Sequence, residues 1–500
     1  VLRALVAAWK AARFAAQNEI VMERANASRF WTLLPLASAI VLGIMLGTLS
    51  VSRAAVFHVE LRQPGLTSVA AAKLLHTLAN DLFVESDGTV YVRTGDIPAM
   101  WLRDSSAQLE PYVRFTGQVP SLRPWFRAVI ERNARNIVAD PYANAFRADY
   151  GVWERKWEVD SLAYPLLFAR SYWLATHDRT IFSMEFHQML SLTVATYECE
   201  ERHFACSTYH RNDLSPVTRG GGASDTGLIW CGFRPSDDPT TRPFNIPQEM
   251  FATVALRELA DLARVGYADH ALATRALALS ARVHAGIERY GRFYDFRYSW
   301  IYVYETDGRG DVRLMDDANI PNLLAAPLYG YVLQSSPIYA NTRRFVLSRA
   351  NPYFFEGRAV SGIGSPHTPE RWVWPLAIAT RAMTAGNRME VAQQLAMLAA
   401  TRGTSGTIPE SVNADDPSLF TRAEFGWANA TYADLLFRTA STFRGLPAPN
   451  AMRWLDHDRT PMPALVAGLT ALENDAAIVS ALKRLFPTTP ILNAVALASR

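Results

Sequence analysis

The chain has 500 residues, 49% of them hydrophobic and 19% charged, with a net charge of +3. So large an apolar fraction buries a sizeable core and excludes a disordered or low-complexity chain. Residues 1–62 hold seven Lys/Arg against three Asp/Glu, which leaves the rest close to neutral. Nucleic acid, whose binding rests on neutralising phosphates, is therefore excluded as a partner, and an uncharged substrate is expected.

A basic segment, 1–29, precedes Phe30–Ser52, a stretch of about 23 residues without charge between Arg29 and Arg53. As a helix it spans roughly 30 Å of hydrocarbon. The expectation is a signal-anchor, or a signal peptide cleaved near Ser52-Arg53-Ala54. The excess of Arg and Lys before it keeps that side cytoplasmic and exports the body, with the membrane as a partner.

From 60 to 446 the pattern is one helical domain without a Gly/Ser/Pro linker. Val69, Ala72, Leu75, Leu78 and Leu82 recur at threes and fours behind the capping pair Thr67 and Ser68. Similar helices are predicted at about 105–116, 121–138, 160–176, 181–197, 247–265 and 269–290. Further ones fall at about 319–332, 338–350, 369–385, 388–402 and 425–439. Gly266, Gly291 and Gly403 stand where helix stops are expected. Strands are few, at Thr89–Arg93 and the loosely alternating Phe293–Tyr304. No repeat of fixed period supports a solenoid. About a dozen helices fit an all-α fold of six hairpins closed into an (α/α)6 toroid, with functional loops at one end. A linear stack is the competing architecture, and 447–500 reads as a C-terminal helical extension.

Cys199, Cys206 and Cys231 read as ordinary packing residues rather than as a metal set with His203. A Cys199–Cys206 link is the alternative in an oxidising compartment. Asp307 and Asp311 lack the ligand spacing of a calcium loop, so no metal or cofactor is expected. Asn26 and Asn429 open sequons.

Five separated stretches carry the chemistry. In Trp101-Leu102-Arg103-Asp104-Ser105 the Asp or Ser can cap a helix, or Arg103 and Asp104 can hold vicinal hydroxyls as fork donor and acceptor. Lys156 and Asp160 fall at i and i+4, on one face of a helix. Gly232-Phe233-Arg234-Pro235-Ser236-Asp237-Asp238-Pro239 is a rigid loop whose adjacent carboxylates can differ in protonation. Asp317 can cap a helix starting near Asn319 or face a pocket. Glu410, between helices, supplies a second carboxylate. Glycoside hydrolysis needs such a pair, one to protonate the leaving oxygen and one to activate water.

Together these stretches resemble glycoside hydrolase family 125, the exo-acting α-1,6-mannosidases. The matching segments are GDIPAMWLRDSSAQ, DPYANAF, ERKWEVDSLAYP, GFRPSDD, FNIPQEMFA, YETDGRG, LMDDANIP, WPLAIA and ESVNADDP with WANA, in family order over about 80–440. The resemblance implies a toroid and metal-independent release of terminal mannose from a glycan, with inversion. It puts the acid at Asp237 or Asp238, with Asp237 preferred, and the base at Glu410. Arg103, Asp104, Asp317, Asn319 and His367 then orient the sugar, with Arg234, Lys156 and Asp160 beside them. Trp101, Trp374 and Trp427 offer stacking faces. Pro409 stands where the family usually has His. An α-glucosidase on the same fold, or a noncatalytic mannoside-binding toroid, are the alternatives.

Overall fold

A computed structural model describes residues 77–442 apart from 79, 118–119, 121 and 402–406. The predicted segments 1–29, 30–52 and 447–500 therefore lie outside the described residues, as does the stop expected at Gly403. Among the described residues no helix is long and apolar enough to cross a membrane.

The chain enters through a hairpin, β1 (Leu82–Val84) and β2 (Val90–Val92). The first helix prediction ran through Leu82, which instead begins β1. Next come β3 (Met100–Trp101) and α1 (Leu102–Ala107), then a 3-10 turn at Glu110–Phe115. Pro111 splits what the periodicity presented as one helix. After α2 (Leu122–Ala139), strands β4 (Ala145–Phe146) and β5 (Val152–Glu154) pair with β3 in the order β3-β4-β5. Then follow α3 (Val159–Thr176), α4 (Met184–Glu200), and two short turns of helix at His203–Cys206 and Pro216–Gly220.

Strand β6 (Phe244–Asn245) leads into α5 (Ile246–Tyr267), and α6 (His270–Tyr290) returns along it. The aromatic stretch is the hairpin β7 (Arg292–Asp295) and β8 (Ser299–Tyr302). Beyond β9 (Glu305–Thr306) and β10 (Val312–Arg313) come α7 (Pro337–Val346), β11 (Phe354–Glu356), β12 (Ser361–Ile363) and β13 (Trp372–Val373). The described chain ends through α8 (Pro375–Met383), α9 (Arg388–Ala400), β14 (Ser411–Asn413), β15 (Phe420–Thr421) and α10 (Gly426–Thr442).

Contacts run in a cycle: α1 packs on α3, α3 on α5, α8 on α10, and α10 back on α1. The predicted helix at 319–332 is absent. Turns around the cis Ile320–Pro321 bond fill that place in the cycle. The Asp316 carboxylate, accepting from Leu323 N and Leu324 N at 2.9 and 3.0 Å, holds these turns by side chain rather than by helical bonds. Tyr164 of α3 donates to Ile320 O, and Phe251 of α5 meets Tyr329 edge-on. Helices α2, α4, α6 and α9 pack outside the cycle.

Caps are local. Ser183, Asn245, Asp269 and Asn387 each accept a backbone N–H in the first turn of their helices. Gly291 closes α6 as expected, but Gly266 lies inside α5, whose cap is the left-handed Ala268. A Cβ at Gly266 would stand 2.4 Å from the Phe182 ring, so close packing explains that glycine. Cys199 and Cys206 form a disulfide instead of packing as free thiols, and Cys231 is buried and free. Asn429 is also buried, with its amide spent on Phe425 O and Ile408 N, so its sequon is not presented to solvent.

Candidate active site

The loops entering α1, α3, α5, α8 and α10 converge at the N-terminal ends of these inner helices, where a cavity of about 320 Å³ opens. Short antiparallel sheets brace the rim. Strand β4 sits between β3 and β5, while β14 sits between β13 and β15 just after Glu410. Trp101, Arg103, Asp104, Lys156, Asp237 and Asn319 line this cavity, with His367, Trp374, Glu410 and Trp427 on its other walls.

One wall is a crowd of acids around a single guanidinium. Arg103 Nη1 donates to Glu158 Oε2 at 2.7 Å and Nη2 to Asp237 Oδ1 at 3.0 Å. Asp104 and Asp160 stand 3.4 and 3.6 Å from the same group. Burial of this cluster raises Asp104 to about 6 and Asp160 to about 7, with Arg103 opposing both shifts. Burial also drives Glu158 well above the carboxylate range. Asp237 goes the other way. Burial would raise it, but Arg103, a hydrogen bond from Glu158 and the nearby Lys156 outweigh that and hold it low.

The loop that presents Asp237 is locked. Arg234 N donates to Asp238 O and Asp237 N to Arg234 O, closing a turn in which Asp237 has φ +63. The Arg234 guanidinium faces away from the cavity and pairs with buried Glu305 at 2.6 Å. Glu305 also accepts from Thr241 and the Arg242 backbone, so its carboxylate is well satisfied, while Arg234 Nη2 has no hydrogen-bond partner among the described residues.

Asp238 turns from its neighbour, accepting from Ser236 Oγ at 2.9 Å and meeting His367 Nδ1 at 3.2 Å. That contact lifts the imidazole from 6.5 to about 9 against the opposing effect of burial. Asp317 lies behind Asn319, accepting from its backbone and side-chain nitrogens at 3.0 and 2.9 Å and from Ser365 Oγ at 3.0 Å. Burial raises its carboxyl as well.

The surroundings of Glu410 are sparer. Glu410 Oε1 has Arg422 Nη1 at 3.4 Å. Arg422 is itself tied to Asp96 Oδ1 and Thr94 O, and lies over the Phe425 ring. Trp374 and Trp427 are nearly buried and meet Phe425 edge-on. The buried Trp101 indole N–H has no hydrogen-bond partner among the described residues.

Several expectations change. Asp160, Arg234, Asp238 and Asp317 stand behind the lining rather than in it. Lys156 precedes α3, so it shares no helix face with Asp160; it pairs with Glu154 at 2.7 Å. Asp104 and Ser105 lie inside α1, whose N-cap position is Trp101, and Asp317 caps no helix. The Arg103 fork is spent on two acids. Sequence reasoning missed Trp153, Glu154, Arg422 and Phe425 in the lining, and Asn144 and Glu158 behind it. Glu158 left a signal, because its run of charges opens a helix that is otherwise apolar. Arg422 left none.

The family model described as metal-independent α-mannosidase (GH125) matches residues 63–151 and 148–437. The meiotically up-regulated gene 157 protein of Schizosaccharomyces pombe is 33% identical over 386 residues, 69% of this chain and 75% of that protein. A Streptococcus pneumoniae metal-independent α-mannosidase, solved in a non-productive substrate complex with α-1,6-mannobiose, superposes with TM-score 0.70 at 35% identity. That match covers 73% of this chain and 92% of the other. A bacterial glucoamylase bound to acarbose shares the fold at TM-score 0.51 and 14% identity, over 80% of this chain and 57% of its own. With that match across most of its length and its acids gathered at one cavity, the chain belongs to glycoside hydrolase family 125, the metal-independent α-mannosidases, and is a glycoside hydrolase.

Proposed function

We propose that this chain is an exo-acting α-mannosidase that removes terminal α-1,6-linked mannose with inversion. The observation that carries the reading is the pairing of Asp237 and Glu410, from distant loops, on one cavity otherwise walled by Trp101, Trp374 and Trp427. Its volume of about 320 Å³ sits at the small end of ligand pockets, about 300–1,000 Å³. That suits a chain end and part of the next residue.

In this reading Asp237 gives its proton to the glycosidic oxygen as the bond to the anomeric carbon breaks. Water attacks that carbon from the other face, and Glu410 takes its proton. Asn319, held by Asp317, and His367, held by Asp238, orient the sugar hydroxyls. Asp238 is disfavoured as the acid because its oxygens are engaged by Ser236 and His367. We also infer that the body works outside the cytoplasm with Phe30–Ser52 as its export signal. The Cys199–Cys206 disulfide supports that placement.

Proton NMR of α-1,6-mannobiose during digestion tests linkage and stereochemistry together. The expected first product is β-mannose. Initial release of α-mannose removes inversion from the reading, and cleavage of α-glucosides in preference to mannobiose replaces the substrate.

A further inference from the structure

We infer that Glu158 is a positioning residue that stores the proton Asp237 delivers, the two acids forming a proton-sharing pair bridged by Arg103. The inference rests on the reading of Asp237 as the acid and deepens it. Arg103 commits one amino group to each acid, at 2.7 Å from Glu158 Oε2 and 3.0 Å from Asp237 Oδ1. Asn144 Nδ2 reaches both as well, at 3.4 Å from Glu158 Oε1 and 3.2 Å from Asp237 Oδ1. Sharing Arg103 and Asn144 holds the two carboxyl groups side by side behind the cavity. Two carboxyl groups held this close in a buried place repel one another when both are ionised, so one of them keeps a proton.

Burial decides where the proton rests. The Glu158 side chain is 0% exposed and that of Asp237 19%, so the charge sits at the cavity and the proton behind it. The surrounding groups agree. Arg103, Asp104 and Asp160 face the pair from α1 and α3, Glu154 and Lys156 from the strand before α3, and His367 from across the cavity. Lys156 is already paired with Glu154, so the acids next to Arg103 outnumber their cation and cannot all ionise.

A sugar filling the cavity displaces water from Asp237 and favours its neutral form. The proton then passes from Glu158 to Asp237, and the new Glu158 carboxylate keeps its bonds from Arg103 Nη1 and from Ser161 Oγ at 2.9 Å. Asp237 delivers that proton to the leaving oxygen and is ionised again. The water-derived proton leaves Glu410 for solvent, and Glu158 regains one from solvent through Asp237. No atom or electron is left over.

Glu158→Gln keeps a donor toward Asp237 but carries no transferable proton. The test compares α-1,6-mannobiose with dinitrophenyl α-mannoside, whose leaving group needs no proton. The expected result is a fall of at least about 10-fold in kcat on mannobiose, relative to the aryl substrate, with the alkaline limb of kcat/KM moved to lower pH. An equal fall on both substrates, or an unmoved limb, overturns the proposal. If the Gln variant fails to fold, Glu158→Asp, which withdraws the carboxyl from Asp237 by one methylene, must show the same substrate bias; wild-type bias overturns it. Asp237→Asn is the separate control. Should it show no leaving-group dependence, the acid assignment itself has failed.

Discussion

The two walls of the cavity follow opposite electrostatic plans. Around Asp237, four carboxyl groups lie within 4 Å of one guanidinium and compete for its charge. Around Glu410, the Arg422 guanidinium stands at 3.4 Å and is itself steered by Asp96 and Thr94. A proton donor at neutral pH must be kept supplied, and crowding acids in a buried place does that. A proton acceptor must be left vacant, with a neighbour that aims it without smothering it. Under the proposed roles, this contrast is what suits the two carboxyl groups of one cavity to opposite tasks.

The largest effects should separate the walls directly. Asp237→Asn and Glu410→Gln should each lower kcat roughly 10²–10⁴-fold. Mannobiose affinity, read by calorimetry, should stay within a few-fold. Azide should restore turnover to Glu410→Gln, giving β-mannosyl azide, and should not rescue Asp237→Asn on mannobiose. Reversed rescue would exchange the roles of the walls.

Stability provides the next test. Arg103→Met leaves buried acids without their cation and should cost about 3–5 kcal/mol in denaturant unfolding. Arg422→Met breaks two partly buried pairs, one to the 39% exposed Asp96 and one that is long at 3.4 Å to Glu410, and should cost about 1 kcal/mol. Its activity should fall by up to roughly 10²-fold because Glu410 loses its aim. Equal stability losses would erase the difference between the walls.

His367 sharpens the comparison through pH. Its folded value of about 9 exceeds the ordinary 6.5 because of Asp238. The pair's contribution to stability is therefore complete below about 6.5 and lost as pH rises through about 9. Asp238→Asn should return the imidazole toward 6.5, visible as a shifted ring-proton titration by NMR. An unchanged midpoint would mean that Asp237 and Glu410, rather than Asp238, sustain the charge. The smallest effect is expected at the mouth, where Trp153 is 42% exposed on the lining. Trp153→Ala should raise KM for longer mannosides by about 1 kcal/mol of lost contact and leave kcat unchanged.

The helical body was legible in the sequence because α2, α5 and α6 carry clear periodicity, α4 to α6 side-chain caps, and α3 a long apolar run. The gap came at 319–332, where Asp316 and a proline-centred turn satisfy the backbone without helical bonds and mimic the apolar spacing. Asp237 and Glu410 were singled out by motif resemblance, and both line the cavity. Their supports were not. Glu158 resembled a solvated charge until α3 buried it, and Arg422 reaches Thr94 and Asp96 across more than 300 positions of chain. Local patterns register spacing along one element, whereas these contacts exist only after closure of the ring.

The left-handed backbone at Asp237 narrows what evolution can put there. Aspartate, asparagine and glycine tolerate that conformation, whereas most other side chains lose roughly 1–2 kcal/mol in it. Of the three, only aspartate can donate a proton. Glutamate, the usual substitute for a lost acid, would be both too long and conformationally disfavoured. With Asp237 as the proposed acid, a lineage that drifts to asparagine at this position keeps the fold and loses hydrolysis, and returns to catalysis most directly by restoring aspartate.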